Sequence, residues 1–206
     1  EGRNEARLPV PVVRGRMYFS DDAWLGGVYV PAFKRASFDL LDEETSPFNI
    51  TPDPQLAVCL AIGCPPLPLP VEARRPDGSW TDAQGGARFN ATVGTLDWSV
   101  SAYRGFEAFP LVSLETAGTL PLLASTHPRF TMVGADFETV RGEWGMRGEV
   151  AAFVDDSFQG ANLAVVPGAS WDAGFGVDRR AGAYQFSGTV LVHRDRPDAI
   201  AGSGPE

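Results

Sequence analysis

The chain has 206 residues, enough for one domain with its own core. Its 26 acidic and 17 basic residues leave a net charge of −9, so the basic surface that nucleic-acid binding requires is not expected. Gly (23) and Pro (17) are frequent, which favours turns and loops over long helices. No run approaches the ~18 consecutive apolar residues of a membrane-spanning helix, but membrane strands alternate and leave little hydropathy signal.

Apolar and polar residues alternate in paired segments along most of the chain. The clearest pair runs from Ala87 to Tyr103 around a turn at Gly94-Thr95. Period-two alternation on both sides of a short glycine-containing turn is the signal of a β-hairpin. Four such pairs are expected, with turns at 20–23, 94–95, 141–143 and 180–182. The sequence therefore predicts about eight antiparallel strands of roughly ten residues, the length that a tilted membrane strand needs.

Long irregular segments separate the predicted hairpins, at about 34–85, 105–128 and 154–170. Loops of this length are uncommon in compact soluble domains. Short turns that alternate with long loops are typical of outer-membrane barrels, in which the short turns face the periplasm. Residues 1–206 are therefore interpreted as one all-β domain, an antiparallel up-and-down transmembrane β-barrel or a part of a larger one.

The two faces of the predicted strands differ in chemistry. One carries Phe, Trp, Val, Ala, Met and Gly, and the other carries most of the charge. A membrane barrel turns its polar face to the lumen, whereas a soluble barrel or sandwich turns its apolar face inward. The side chains predicted to line a lumen are Arg14, Arg16, Arg88, Asp97, Asp136, Glu138, Arg147, Glu149, Asp172 and Asp178. They either line a water-filled pore or pair across strands to fill a narrow barrel, because eight strands enclose room only for side chains while 16–18 strands leave a channel.

Aromatic residues favour the membrane interpretation of the apolar face. Trp and Tyr prefer the boundary between membrane and water. The residues near the short turns are Phe19, Trp24, Trp98, Phe137, Trp144 and Tyr184, and those near the long loops are Phe33, Phe106, Phe153 and Trp171. We expect them to form two belts on the apolar face. The alternative is an aromatic core at one end of a soluble β-sandwich.

Three segments, Asp97–Gly105, Arg129–Phe137 and Gly142–Ala151, resemble hairpins of porin-like bacterial outer-membrane proteins. The resemblance covers most hairpins from Ala87 to Arg194 and lies in the hairpin pattern rather than in a catalytic motif. It implies a closed barrel in the bacterial outer membrane, in contact with lipid and lipopolysaccharide, and it implies no particular substrate. Because both ends of the strand region fall on the side of the long loops, we expect a piece of a larger barrel with open edges at both ends of the sheet. The alternative is that the eight strands close on themselves.

The segment 34–85 is long enough to fold inward and narrow a pore. Asp42, Glu43 and Glu44 would then place negative charge at the constriction; a surface loop is the alternative. Cys59 and Cys64 form a candidate disulfide in the proline-rich part of this segment, as expected for an exported protein. Two reduced thiols are the alternative, and a zinc site is not expected because no further Cys or His lies near.

Catalysis has little support in the sequence. The chain has two histidines and no Gly-x-Ser-x-Gly motif, so no catalytic residue, metal or cofactor is predicted. The leading hypothesis is porin-like passage of small solutes across the outer membrane. One alternative is a structural or adhesion barrel that acts through its extracellular loops, and another is a soluble β-sandwich binding domain.

Overall fold

A computed structural model describes most of the strand-forming part of the chain. The described residues are 10–34, 70–74, 76, 82–117, 120–160 and 163–198. Within these ranges the protein is all-β, with eleven strands in two sheets. The same ranges contain no helix of the length and apolar character needed to cross a membrane.

The larger sheet has eight strands in one antiparallel meander. Its strands are β1 (Val13–Ser20), β2 (Ala23–Val30), β4 (Gln84–Val93), β5 (Leu96–Phe106), β8 (Arg129–Arg141), β9 (Trp144–Gln159), β10 (Val165–Ala181) and β11 (Tyr184–Pro197). They are hydrogen-bonded in that order across the sheet. The eight predicted strands and their antiparallel pairing are confirmed in this sheet.

Three hairpin turns depend on glycine for their backbone conformation. Gly94, Gly142 and Gly182 have φ angles of 64°, 62° and 61°, a region that tight hairpin turns require and that residues with a Cβ adopt at a cost. All the short turns lie at one end of the larger sheet, which we call the turn end. The opposite end, where the longer connections leave the sheet, is the connection end.

The larger sheet is open. It begins at β1 and ends at β11, and every residue of these two strands is exposed. The predicted open edges are confirmed, while closure of the eight strands on themselves is wrong for this structure because the two edges do not pair with each other. The closed barrel implied by the resemblance is likewise not formed by these strands alone.

A smaller sheet is built from two of the segments predicted to be loops. Its strands are β3 (Val71–Arg74), β6 (Leu111–Ala117) and β7 (Leu120–Thr126). β7 is central, parallel to β3 and antiparallel to β6. The prediction of irregular structure throughout 105–128 is therefore wrong, because β6 and β7 form a hairpin with apolar residues on both faces rather than on one.

The predicted loop at 154–170 is mostly strand. β9 continues to Gln159 and β10 starts at Val165, and these two residues pair. The prediction fails because the consecutive acids Asp155 and Asp156 interrupt the alternation, yet both carboxylates are satisfied within the sheet. Asp155 accepts hydrogen bonds from Arg104 and Thr131, and Asp156 accepts one of 2.5 Å from the Ser170 hydroxyl.

The buried side chains concentrate toward the connection end. The buried apolar residues among those described are Val30, Val112, Leu123, Ala124, Leu163 and Val166. His127 is buried beside them, with its ring 4.6 Å from that of Phe33 and Nδ1 2.9 Å from the Glu107 carbonyl oxygen. This small core anchors the connections and leaves the middle of the larger sheet uncovered on both faces.

Candidate functional site: two unlike faces of one sheet

The strand register divides the larger sheet into an apolar face and a charged face. Residues directly paired across antiparallel strands point to the same side. The row Asn90–Ser99–Asp136–Glu149–Gly174–Leu191 belongs to the charged face, and the row Ala91–Trp98–Phe137–Gly148–Phe175–Val190 belongs to the apolar face. All ten side chains predicted to line a lumen share the charged face: Arg14, Arg16, Arg88, Asp97, Asp136, Glu138, Arg147, Glu149, Asp172 and Asp178.

Hydrogen bonds order part of the charged face. The guanidinium of Arg88 lies 2.8 Å from Asp136 Oδ1, and the hydroxyl of Ser99 donates to Asp136 Oδ2 at 2.5 Å. Ser99 is only 1 % exposed, although no element among the described residues covers it, because the Asp136 and Arg88 side chains lie above it. Thr92 donates to Asp97 in the same way, at 2.5 Å. These side chains therefore lie along the sheet rather than standing away from it.

Three hollows lined by described residues lie on the charged face of the larger sheet. One is lined by Asp136, Glu138, Arg147 and Glu149 and reaches from Arg88 on β4 to Thr189 on β11. A second lies beside Asp172 and His193, nearer the connection end. A third, at the turn end, is lined by Glu143, Asp178 and Arg180, among others. These three hollows therefore all open on the charged face.

The apolar face is exposed along its whole centre. Phe175 is 48 % exposed and Val190 is 64 % exposed, and Val100, Val133 and Val150 are similarly open. No described residue outside the larger sheet covers these side chains. A soluble β-sandwich would bury this face against a second sheet, and the smaller sheet does not take that place.

Charged residues mark both borders of the apolar face. β8 has thirteen residues and carries arginines at its two ends, Arg129 and Arg141; the same-face positions between them hold Thr, Val, Ala, Phe and Thr. At the connection end the border continues with the ion pair of Arg104 and Asp155, 3.1 Å long. At the turn end it continues with Arg179, whose guanidinium lies 5.0 Å from the ring centroid of Trp144.

The aromatic residues near the turns are distributed almost as predicted. Trp98 and Phe137 pair with each other on the apolar face, and Trp144 and Tyr184 lie on the same face. Phe19 joins them through its contact with Phe89, at 6.3 Å between ring centroids.

Trp24 is an exception among the turn-end aromatics. It pairs with Tyr18 and Asn90 on the charged face, under the guanidinium of Arg16 at 4.6 Å. The prediction is wrong there because the register shifts between Tyr18 and Ser20.

The aromatics near the connection end divide between the faces. Trp171 pairs with Ala152 on the apolar face, and Phe106 has the same orientation in the register. Phe153 instead pairs with Met132 on the charged face and contacts Phe130 at 5.6 Å between ring centroids. Phe33 lies outside the strands, against Phe106 and His127. A complete second belt on the apolar face is therefore not formed by these four residues.

The one strand histidine faces carboxylates. His193 Nδ1 lies 2.6 Å from Asp172, and Nε2 lies 2.8 Å from Asp195. Two serines of the same face lie elsewhere: Ser99 is bonded to Asp136, and Ser187 pairs with Asp178 nearer the turn end. The geometry around His193 is that of an ion-paired side chain.

Two contacts at the connection end have no counterpart in the sequence predictions. The Gln159 side chain bonds both the backbone N–H and the carbonyl of Val112, and Arg74 pairs with Glu72 and Glu115 in the smaller sheet. Burial, and secondarily the charge of Asp156, raises the pKa of Glu107 in the connection between β5 and β6. The dipeptide Gly-Thr at 118–119 between two apolar runs is the sequence signal that indicates the β6–β7 hairpin. No local signal identifies Gln159.

Several predicted positions lie outside the described residues. These are the constriction candidates Asp42, Glu43 and Glu44 and the disulfide candidates Cys59 and Cys64. Comparison with protein-family models, with curated proteins and with solved structures finds no match for this chain.

Proposed function

We propose that this chain forms part of the wall of a bacterial outer-membrane β-barrel that lets small solutes pass. Its apolar face contacts lipid, and its charged face lines the aqueous lumen. The observation that carries the proposal is that three hollows open on the charged face, while the exposed apolar side chains lie on the opposite face. A membrane barrel has polar side chains on its concave side and apolar ones outside, whereas a soluble barrel has the reverse.

The dimensions of the apolar face support the same conclusion. From Arg129 to Arg141, the thirteen residues of β8 rise roughly 40 Å along the strand and about 30 Å along a barrel axis at the usual tilt. The uncharged positions lie inside that span. The apolar band of outer-membrane barrels is about 25 Å tall, so arginines at both ends would reach the two headgroup regions, where lipid phosphates and lipopolysaccharide carry negative charge.

The edges of the sheet are compatible with a larger ring of strands. Because the meander contains eight strands, β1 and β11 run in opposite directions, and further antiparallel strands can extend the sheet from either edge. Unpaired edges are a liability in isolation, and a lumen wide enough for solutes needs about 16 strands. Further strands would pair with both open edges of the sheet and would widen the lumen.

A second candidate is a barrel that acts through its outer surface. It is favoured by the smaller sheet, which gives the connection end a folded surface held by Gln159 and by the pairs of Arg74. Deleting β6 and β7 would abolish partner binding in that case. In a solute pore the same deletion would leave conductance intact or raise it.

The test is reconstitution of the full-length protein. We expect it to be extracted from the outer-membrane fraction only with detergent, and to produce discrete ion-conducting steps in a planar lipid bilayer. Heat-denatured protein in the same detergent is the control. A monodisperse protein in detergent-free buffer would contradict the barrel, since the exposed apolar face could not then remain uncovered. Insertion without conductance would contradict the pore and favour the second candidate.

A further inference from the structure

Three charged side chains on the charged face lie directly over glycines of the neighbouring strand. A Cβ built at Gly145 would be 2.6 Å from Asp178 Oδ2, and one at Gly176 would be 2.9 Å from Arg147 Nε. One at Gly174 would be 3.1 Å from both Glu149 Oε1 and Leu191 Cδ2. Real Cβ atoms almost never come within 3.0 Å of another heavy atom, as those built at Gly145 and Gly176 do, and the 3.1 Å at Gly174 is tighter than nine in ten real contacts. The charged groups therefore occupy the space that a side chain at these positions would fill.

The register explains the arrangement. Asp178 pairs with Gly145, Arg147 with Gly176, and Glu149 with Gly174. Directly opposed residues have Cβ atoms about 5 Å apart, so two full side chains would both have to stand away from the sheet. Opposite a glycine, a long side chain can lie flat across the neighbouring strand. Glycine in a strand interior weakens the strand, and here it coincides with close approach of a charged group.

We propose that Gly145, Gly174 and Gly176 are specificity-determining positions of the lumen. By letting Asp178, Glu149 and Arg147 lie against the wall, they set the free width of the lumen and the charge that a passing ion meets. This inference rests on the proposed pore. It identifies small ions and polar solutes as the species whose passage these glycines control.

The chain offers matched control positions. Gly188 on β11 belongs to the apolar face and has no heavy atom within 4 Å of a built Cβ. Gly148 also belongs to the apolar face and is as crowded as the lumen glycines, with Phe137 2.5 Å from a built Cβ. Substitution at Gly148 therefore reproduces the steric displacement on the opposite side of the sheet.

The experiment measures single-channel conductance, and the reversal potential in a KCl gradient, for the full-length protein in planar bilayers. Gly176→Val should lift Arg147 into the lumen, lowering conductance and shifting the reversal potential toward anion selectivity. Gly174→Val should lift Glu149, lowering conductance and shifting the reversal potential toward cation selectivity. Gly188→Val and Gly148→Val should change neither quantity. The double variant Gly176→Val/Arg147→Ala should recover conductance, because the displaced side chain is gone.

The outcomes separate this inference from the function on which it rests. A wild-type protein without channels would refute the pore and this inference with it. Wild-type channels with unchanged conductance in both lumen variants, or with selectivity shifts of the same sign, would refute only the role of the glycines. Equal effects from Gly148→Val would also refute it. If a valine variant fails to insert into the bilayer, the same measurements are made on Gly176→Ala and Gly174→Ala, since a Cβ alone already comes into close contact with Arg147 or Glu149.

Discussion

The side-chain amide of Gln159 makes two hydrogen bonds with the backbone of Val112, each 2.7 Å long. The amide pairs with Val112 as a residue of a neighbouring strand would, since its oxygen accepts from the Val112 N–H and its NH2 group donates to the Val112 carbonyl. It thereby joins β6, an edge of the smaller sheet, to the end of β9 in the larger sheet.

Replacing Gln159 with Glu should release the smaller sheet locally. A carboxylate has the same shape but cannot donate to the Val112 carbonyl, and the unsatisfied carbonyl costs about 1–3 kcal/mol. Hydrogen exchange should show faster exchange at Val112 and along β6, with β8 unchanged. Exchange at Val112 equal to that of the wild type would contradict the joining role of Gln159.

The Gly142 turn should depend on its positive φ of 62°. Gly142→Ala places a Cβ in the left-handed region and should destabilise the protein by about 1 kcal/mol. Gly188→Ala is the control, because it meets open space and Gly188 has no positive φ. Urea unfolding in detergent micelles measures both. Equal free energies of unfolding for the two variants would contradict a backbone strain at position 142.

Because of Glu107, the free energy of unfolding should increase as the pH falls from neutral. Burial and the charge of Asp156 raise the pKa of this carboxyl above its ordinary 4.5. The folded state therefore holds the proton more readily than the unfolded state. The destabilisation is fully present above the raised folded-state pKa, and it is relieved as the pH falls through that pKa toward 4.5.

Glu107→Gln tests this dependence. The variant should unfold at higher urea concentration than the wild type at pH 7, and the difference should shrink as the pH falls toward 4.5. Asp21→Asn, in the exposed turn between β1 and β2, controls for the loss of one negative charge. A Glu107→Gln variant less stable than the wild type at pH 7 would contradict the assigned cause.

An arginine introduced at the centre of the apolar face should destabilise the protein, whereas an arginine at the same depth on the charged face should not. Phe175→Arg places a guanidinium in the proposed lipid contact and should lower the free energy of unfolding by about 2–4 kcal/mol. Leu191→Arg is the matched control: Leu191 lies one strand away on the charged face, and both its side chain and that of Glu149 approach Gly174. Folding into lipid vesicles, followed by electrophoretic mobility, measures both. Similar folding of the two variants would mean that the two faces meet the same solvent.

The sequence predicts those parts of the fold whose signals are local. The hairpin turns at Gly94 and Gly142 could be predicted from the sequence because two or three residues determine a tight turn. The charged face could be predicted residue by residue because side chains alternate with period two.

Non-local contacts could not be predicted in this way. The face of Trp24 depends on a register shift in the neighbouring strand, and β3 pairs with β7 across about fifty residues of chain. Gln159 meets Val112 across a separation of 47 residues, with no pattern around either residue that marks the contact. The glycines under Arg147 and Glu149 become informative only when the register is known.

The tryptophans of the larger sheet report directly whether its apolar face contacts lipid. Trp98, Trp144 and Trp171 lie on the apolar face and Trp24 on the charged face. Single-tryptophan variants of the full-length protein, with the other tryptophans replaced by Phe, are folded into vesicles of phospholipids brominated on their acyl chains. Bromine should quench the fluorescence of Trp98, Trp144 and Trp171 and spare that of Trp24. Equal quenching of Trp24 and Trp98, or none at any of the four, would contradict a lipid-facing apolar side.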